Sequence, residues 1–228
     1  IATLELVAKA RCEYLSRPVH RLLSDTRARV REAAMQTIGQ LNAALGNELL
    51  DLYDDPDPKV AVAAFTASVE LQDRSAVPRL INLARNPGPV RYHAIRALGR
   101  LGDPTTAQPL RESYDSAAMH EKLEIIQALV RILPRWIVPY LKQVYYKSEL
   151  DLRRTAARGM VRIPDALSVE DLAGMASDQD WSIRGIAAGA LSSRHGARGR
   201  ELLMKLIRDD EAVVAGMARK SLEGNDAG

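Results

Sequence analysis

The segment Val90-Arg-Tyr-His-Ala-Ile-Arg-Ala-Leu-Gly-Arg-Leu-Gly-Asp-Pro104 decides the fold. Its apolar residues recur with the period of an amphipathic helix, and Gly102-Asp103-Pro104 then ends that helix and begins another. The pattern returns along the chain at spacings of 30, 30, 31, 31, 31 and 31 residues, at Val30, Val60, Val90, Glu121, Leu152, Ile183 and Val214. A period of this length is the signature of a repeat architecture.

Each repeat carries one apolar stripe. With the aligned residue as position 0, position 4 is Ala in six of the seven repeats. Positions 0, 4 and 8 share one face of a helix, so we expect them to be buried. A methyl group at position 4 predicts that two helix backbones approach closely there. The residues at positions 4 and 8 are Ala34, Ala64, Ala94, Ile125, Ala156, Ala187, Ala218 and Ile38, Ser68, Leu98, Leu129, Met160, Leu191, Leu222.

A first helix precedes each of these second helices. Its start is marked by Asp73 and by Asp103-Pro104, which suit an N-cap and the first helical position. A proline recurs within it, at Pro18, Pro78, Pro109 and Pro139. Because an interior proline costs about 3 kcal/mol and kinks a helix, the recurrence predicts a bent first helix.

The segments Asp73-Arg-Ser-Ala-Val-Pro-Arg-Leu80 and 90–104 resemble HEAT repeats, most closely the short variety of phycobilin lyases. The resemblance covers almost the whole chain and is weakest at residues 116–132. It implies an all-α, right-handed α-solenoid of about seven helix-turn-helix repeats, with the second helices on the concave side. We therefore expect one repeat domain over residues 1–228, with 1–16 a truncated first repeat and 223–228 a polar tail. The family consists mostly of protein-binding scaffolds, with a minority of enzymes.

Composition bounds the function. The formal net charge is only +3, so the chain as a whole is not a strongly basic nucleic-acid binder. The one cysteine, Cys12, cannot form an intrachain disulfide, which favours a reducing compartment. The sequence has no signal peptide and no apolar stretch of 18 residues, so we expect a cytoplasmic protein without membrane insertion. It starts at Ile1 rather than Met, and we expect it to be a fragment.

Two recurrent charges suggest structure rather than a ligand site. In similar repeats, a basic residue at position 1 and an Asp five residues before position 0 form a ladder that binds the loops between repeats. The basic residues are Arg31, Arg91, Lys122, Arg153 and Arg184, and the acidic ones are Asp25, Asp55, Asp178 and Asp209.

A second set of arginines occupies positions 2, 6 and 10, away from the apolar stripe. Residues 91–162 carry 13 basic and 7 acidic groups, so the positive charge is concentrated in mid-chain. This face is either a solvated surface or a groove for an acidic protein segment, a phosphate or a nucleic acid. The predicted partner-binding residues are Tyr92, Arg96, Arg100, Arg131, Arg154, Arg158 and Arg162, with His93 beside Tyr92.

An aromatic cluster is the secondary candidate. Trp136, Tyr140 and Tyr145 fall near one face of a first helix. They either pack the irregular fourth repeat or form an exposed binding patch on the convex side.

Signals for catalysis are few. Among the four histidines, His120-Glu121 is the one His-Glu pair, whereas HEAT-like deoxyhypusine hydroxylases carry several to hold two irons. We therefore predict no metal, no cofactor and no catalytic residues. The favoured function is a non-catalytic scaffold that binds a partner protein, through an acidic segment, on the concave face. The alternatives are bilin-lyase-like chromophore handling and nucleic-acid binding through the basic groove.

Overall fold

The computed structural model describes residue 4 and residues 16–41, 51–163, 165–191 and 196–226. Within these residues it contains 13 α-helices and no β-strand, as the repeat pattern predicts. The helices are α1 (Ser16–Arg21), α2 (Ala28–Leu41), α3 (Pro58–Glu70), α4 (Val77–Arg85), α5 (Arg91–Leu101), α6 (Ala107–Ser113), α7 (Met119–Ile132), α8 (Ile137–Lys147), α9 (Leu150–Val161), α10 (Val169–Ala176), α11 (Trp181–Ala190), α12 (Gly196–Leu206) and α13 (Ala212–Asp226).

Most of the predicted stripe is buried, although Val30 and Val90 at position 0 are half-buried. All seven residues at position 4 are 0% exposed, and those at position 8 are 0–8% exposed. Ser68 is the polar member of the stripe, and its hydroxyl bonds that of Tyr53 from the preceding 3-10 turn. The phase of the repeat is therefore confirmed in every second helix, namely α2, α3, α5, α7, α9, α11 and α13.

The chain forms two compact units, residues 1–134 and 135–228. In the first unit, α2 packs on α3, α3 on α5 and α5 on α7, while the first helices α4 and α6 pack together in a second layer. In the second unit, α9 packs on α11 and α11 on α13, with α10 on α12. Each unit is thus a stack of helix pairs. Cys12 and nearly all of the predicted truncated repeat lie outside the described residues, and α13 continues to Asp226, within the predicted tail.

The first helices begin as the sequence predicts, but their prolines have a different role. Asp73 and Asp103 cap 3-10 turns by accepting from the amides of Ser75 and Thr105, both at 2.9 Å. The recurrent prolines, such as Pro78 and Pro109, lie in the first turn of the α-helix that follows. An amide in a first turn lacks an intrahelical partner anyway. The expectation of prolines in the interior of the first helices is therefore wrong.

The predicted ladder joins successive repeats. Arg184 donates from Nε and Nη2 to Asp209 at 2.7 and 2.9 Å, and from Nη1 to the carbonyl oxygens of Asp178 and Gln179. Arg153 likewise reaches the next repeat, where its Nη2 donates to Asp178. Lys122 departs from the pattern, since its ammonium lies 5.3 Å from the ring centroid of Tyr114.

Glu121, which interrupts the apolar stripe, is matched by a buried cation. Its carboxylate accepts from Arg91 Nη1 at 3.3 Å and from the amide of Ala118 at 2.9 Å. The Arg91 side chain is 3% exposed and also donates to the carbonyl oxygens of Ala84 and Ser113. The irregular fourth repeat is therefore held by a buried ion pair.

Candidate functional site

Four of the predicted binding residues lie on two adjacent helices of the first unit. Tyr92, Arg96 and Arg100 are on α5, and Arg131 is near the end of α7. Arg96 and Arg100 are exposed, and the Arg131 side chain is 42% exposed. Because α5 packs on α7, positions 2, 6 and 10 of these helices make one continuous surface. We call it the second-helix face of the first unit.

A buried carboxylate organises this surface. The Glu124 side chain on α7 is 8% exposed and accepts from Arg131 Nη1 at 3.2 Å and from the Tyr92 hydroxyl at 3.3 Å. The bond from Tyr92 ties α5 to α7, and the bond from Arg131, within α7, holds one edge of the guanidinium. Glu124 was not among the residues predicted from the sequence. Its spacing of seven residues before Arg131, about two helical turns, is the signal that could have found it.

Gly99 lets Arg131 lie against α5. A Cβ at Gly99 would be 2.5 Å from the Cβ of Ala128 and 3.4 Å from Nη1 of Arg131. The two helices therefore meet backbone to backbone, with the Arg131 guanidinium beside Gly99. Arg96 lies one turn before Gly99 and Arg100 directly after it. We call Arg96, Arg100 and Arg131 the arginine cluster.

Imidazole and phenol rings border the arginine cluster. The Tyr92 ring centroid lies 5.3 Å from that of His93 and 5.6 Å from that of His120. Burial, assisted by the charge of Arg96, lowers the pKa of His93. His93 is therefore a neutral imidazole at neutral pH.

A groove opens next to His93 on the same unit. It has a volume of about 320 Å³ and lies among α2, α3 and the start of α5. Its lining combines apolar and polar side chains, among them Glu32, Lys59, Val62, Ala63, Pro89 and His93.

The remaining three predicted arginines lie in the second unit, and their surroundings differ. Arg154 on α9 donates from Nε and Nη2 to Asp180, the N-cap of α11, at 3.2 and 2.5 Å. The hydrogen bonds from Arg154 hold the pKa of Asp180 well below its usual range, against the effect of burial. Arg154 thus links two repeats, and its assignment as a partner-binding residue stays a prediction. Arg158 and Arg162 are exposed and form no ion pair within the described residues.

The aromatic patch is smaller than the sequence predicts. Tyr145 is buried, and its hydroxyl donates to Asp178 Oδ2 at 2.7 Å. Burial, together with the Asp178 carboxylate, raises the pKa of Tyr145. Tyr145 therefore belongs to the core and cannot be part of an exposed patch. Trp136 and Tyr140 are half-buried, with rings meeting edge to face at 5.8 Å.

The repeat geometry matches a known family. The sequence model of HEAT repeats covers residues 46–130 and 138–223. The chain belongs to the HEAT-repeat family. Both matched segments consist of the helix pairs described above.

Solved structures resemble the HEAT-repeat chain along most of its length. The complex of CpcE and CpcF of phycocyanin lyase from Nostoc sp. PCC7120 gives a TM-score of 0.56 at 19% identity, covering 93% of this chain and 94% of that chain. The crystal structure of an engineered protein gives a TM-score of 0.55 at 18% identity, covering 93% of this chain and 68% of that chain. Human deoxyhypusine hydroxylase gives a TM-score of 0.43 at 17% identity, covering 99% of this chain and 89% of that chain. At these identities the first two similarities concern the fold alone. No curated protein matches the sequence.

Two features are absent from the described part of the HEAT-repeat chain. It contains no group of three or more His, Cys, Asp or Glu residues placed to hold a metal ion. None of its helices is both long and apolar enough to cross a lipid bilayer.

Proposed function

We propose that this HEAT-repeat chain is a non-catalytic scaffold that binds an acidic segment of a partner protein on the second-helix face of the first unit. The resemblance to HEAT repeats makes this the expected concave side. The observation that carries the proposal is the arginine cluster. Arg96 and Arg100 are exposed and form no ion pair among the residues that the structure describes, while Arg131 is fixed beside them.

The contrast with the ladder supports a binding role. Arg31, Arg91 and Arg184 are each paired with a carboxylate and with main-chain oxygens. In the cluster, by contrast, only Arg131 is paired with a carboxylate, Glu124, and Arg96 and Arg100 have no carboxylate partner among the described residues. Uncompensated like charges raise the local potential and favour an anionic ligand.

A protein segment suits this surface better than duplex nucleic acid. Duplex DNA carries a charge about every 1.7 Å, and its binding requires many phosphate contacts. The cluster covers only two helices. On the same second-helix face, α2 carries Glu32 at position 2 and α3 carries Glu70 at position 10. These carboxylates would repel a long polyanion but leave room for a few acidic side chains.

Charge reversal tests the proposal. The partner is identified by pull-down from the native host and titrated against Arg96→Glu with Arg100→Glu. We expect at least a ten-fold weaker affinity and unchanged helicity by circular dichroism. Binding by the unmodified chain should also weaken between about 0.05 and 0.5 M salt, because the contact is exposed.

The matched control is Lys147→Glu with Lys205→Glu. It makes the same change of charge at exposed sites on the first helices α8 and α12. Affinity should be unaffected. Equal binding by both double variants would show that the arginine cluster is not the site, and a gel shift with duplex DNA at low salt would favour the nucleic-acid alternative.

A lyase-like role is the second candidate. It is suggested by the coverage of 93% of this chain and 94% of the phycocyanin lyase chain at a TM-score of 0.56. Co-expression with a bilin tests it directly. A coloured chain that keeps its chromophore through purification would favour chromophore handling over scaffolding.

A further inference from the structure

The groove and the arginine cluster occupy the same surface of the first unit. His93 lines one end of the groove, and Arg96 follows it by one helical turn. Along the axis of α5, His93 and Arg100 are separated by about 10 Å, at about 1.5 Å per residue. An extended peptide spans that distance with about three residues.

The groove suits an apolar side chain. Val62, Ala63 and Pro89 supply aliphatic surface, and the neutral imidazole of His93 closes the end nearest the cluster. Val62 is half-buried, so it presents carbon atoms to the groove without belonging to the core.

Charge fixes the direction in which a ligand lies. Glu32 lines the groove on the side of α2, away from the cluster, and accepts from Gln36 at 3.4 Å. An acidic residue in the groove would meet Glu32 and a single cation, Lys59, whereas at the other end it would meet the three arginines of the cluster. Carboxylates paired with guanidinium groups form the stronger, charge-assisted hydrogen bonds.

We infer that the partner segment is an extended peptide with one apolar anchor residue, seated against Val62 and Pro89, about three residues from a pair of acidic residues that bind the arginine cluster. This inference rests on the proposed function and specifies the chemistry of the partner. Specificity then comes from the spacing between the anchor and the acidic pair, since either feature alone is common on protein surfaces.

A displayed library of random 12-residue peptides, selected against the full chain, tests the spacing. Recovered peptides should be enriched in an apolar residue about three positions from a pair of Asp or Glu residues. Enrichment in acidic residues without an apolar residue at a fixed distance would overturn the inference and leave the proposed function standing. Absence of acidic enrichment would overturn both.

Variants separate the two halves of the surface. Peptides selected against Val62→Gln should still be enriched in acidic residues but no longer in the apolar anchor. Thr66→Tyr, at an exposed position in the groove lining, should give the same result because the larger side chain fills the groove. Arg96→Glu with Arg100→Glu should lose the acidic enrichment.

A synthetic peptide from the selection then measures how much the anchor residue contributes to binding affinity. By fluorescence anisotropy, replacing its anchor with Ser should weaken binding about ten-fold or more, as expected for a buried aliphatic side chain. Equal affinity of the anchor and Ser peptides would contradict the inference.

Discussion

Arg31 holds Asp55 of the next repeat through two parallel hydrogen bonds, from Nε to Oδ2 and from Nη2 to Oδ1, each 2.7 Å long. The same arginine donates to the carbonyl oxygens of Asp25 and Thr26 in its own repeat. Asp55 in turn accepts from the amide of Asp57, so the turn before α3 is ordered by the same carboxylate. One side chain thus joins two repeats and shapes both loops.

Replacing Arg31 with Lys should destabilise the first unit. Lysine carries the charge but not the planar fork, so the paired bonds to Asp55 and those to the loop cannot all form. We expect a loss of about 1–2 kcal/mol, measured by urea denaturation. The control is Arg27→Lys, which changes an arginine bound to Asp25 within one exposed turn. A parent-like midpoint for both variants would refute the ladder's role.

Acid should unfold the chain through the ladder carboxylates. Hydrogen bonds from Arg31 and Arg184 lower the pKa of Asp55 and Asp209 in the folded state, although burial opposes the shift. The pKa of Asp in an unfolded chain is about 3.9. The stability that these ionised carboxylates contribute is therefore present above about pH 4 and is lost as the pH falls through their lower folded pKa. Urea midpoints measured from about pH 5 to pH 2 should therefore fall.

Asp209→Asn provides the control for that pH dependence. It should flatten the fall in the urea midpoint, whereas Asp210→Asn, an exposed neighbour, should keep the parent slope. Parallel curves for Asp209→Asn and the parent would mean that the ladder carboxylates do not govern acid stability.

Ser68 and Tyr53 should be coupled. Their hydroxyls bond each other in the core, the Tyr53 ring packs edge to face on Phe65 at 5.0 Å, and burial raises the pKa of Tyr53 to about 12. Ser68→Ala strands a buried hydroxyl and should cost about 1–3 kcal/mol. Adding Tyr53→Phe removes the stranded group. The double variant should then be more stable than the sum of the single losses predicts, and strict additivity in a double-mutant cycle would disprove the coupling.

Two glycines should respond in opposite directions to a single methyl group. Gly99→Ala places a Cβ 2.8 Å from the Cα of Ala128 and should destabilise the chain by about 1–3 kcal/mol. Gly216→Ala has nothing within 4 Å and should stabilise α13 by about 1 kcal/mol. Thermal melts that shift in the same direction would contradict the backbone contact between α5 and α7.

The repeat phase and the ladder were predictable because both recur along the chain. Position 4 is apolar in every repeat and Ala in six of the seven, and Arg184–Asp209 repeats the pattern of Arg31–Asp55. Features of a single repeat were not predictable. The bond from Tyr92 to Glu124 and the pairing of Arg154 with Asp180 depend on which side chains meet across two helices, and no periodicity reports that.

Hydrogen–deuterium exchange of the chain, alone and with its captured partner, locates the binding surface without any substitution. We expect slower exchange on binding in the second helices Arg91–Leu101 and Met119–Ile132, with the first helices Val77–Arg85 and Ala107–Ser113 unchanged. Slower exchange confined to those first helices, or to α8 around Tyr140, would contradict it.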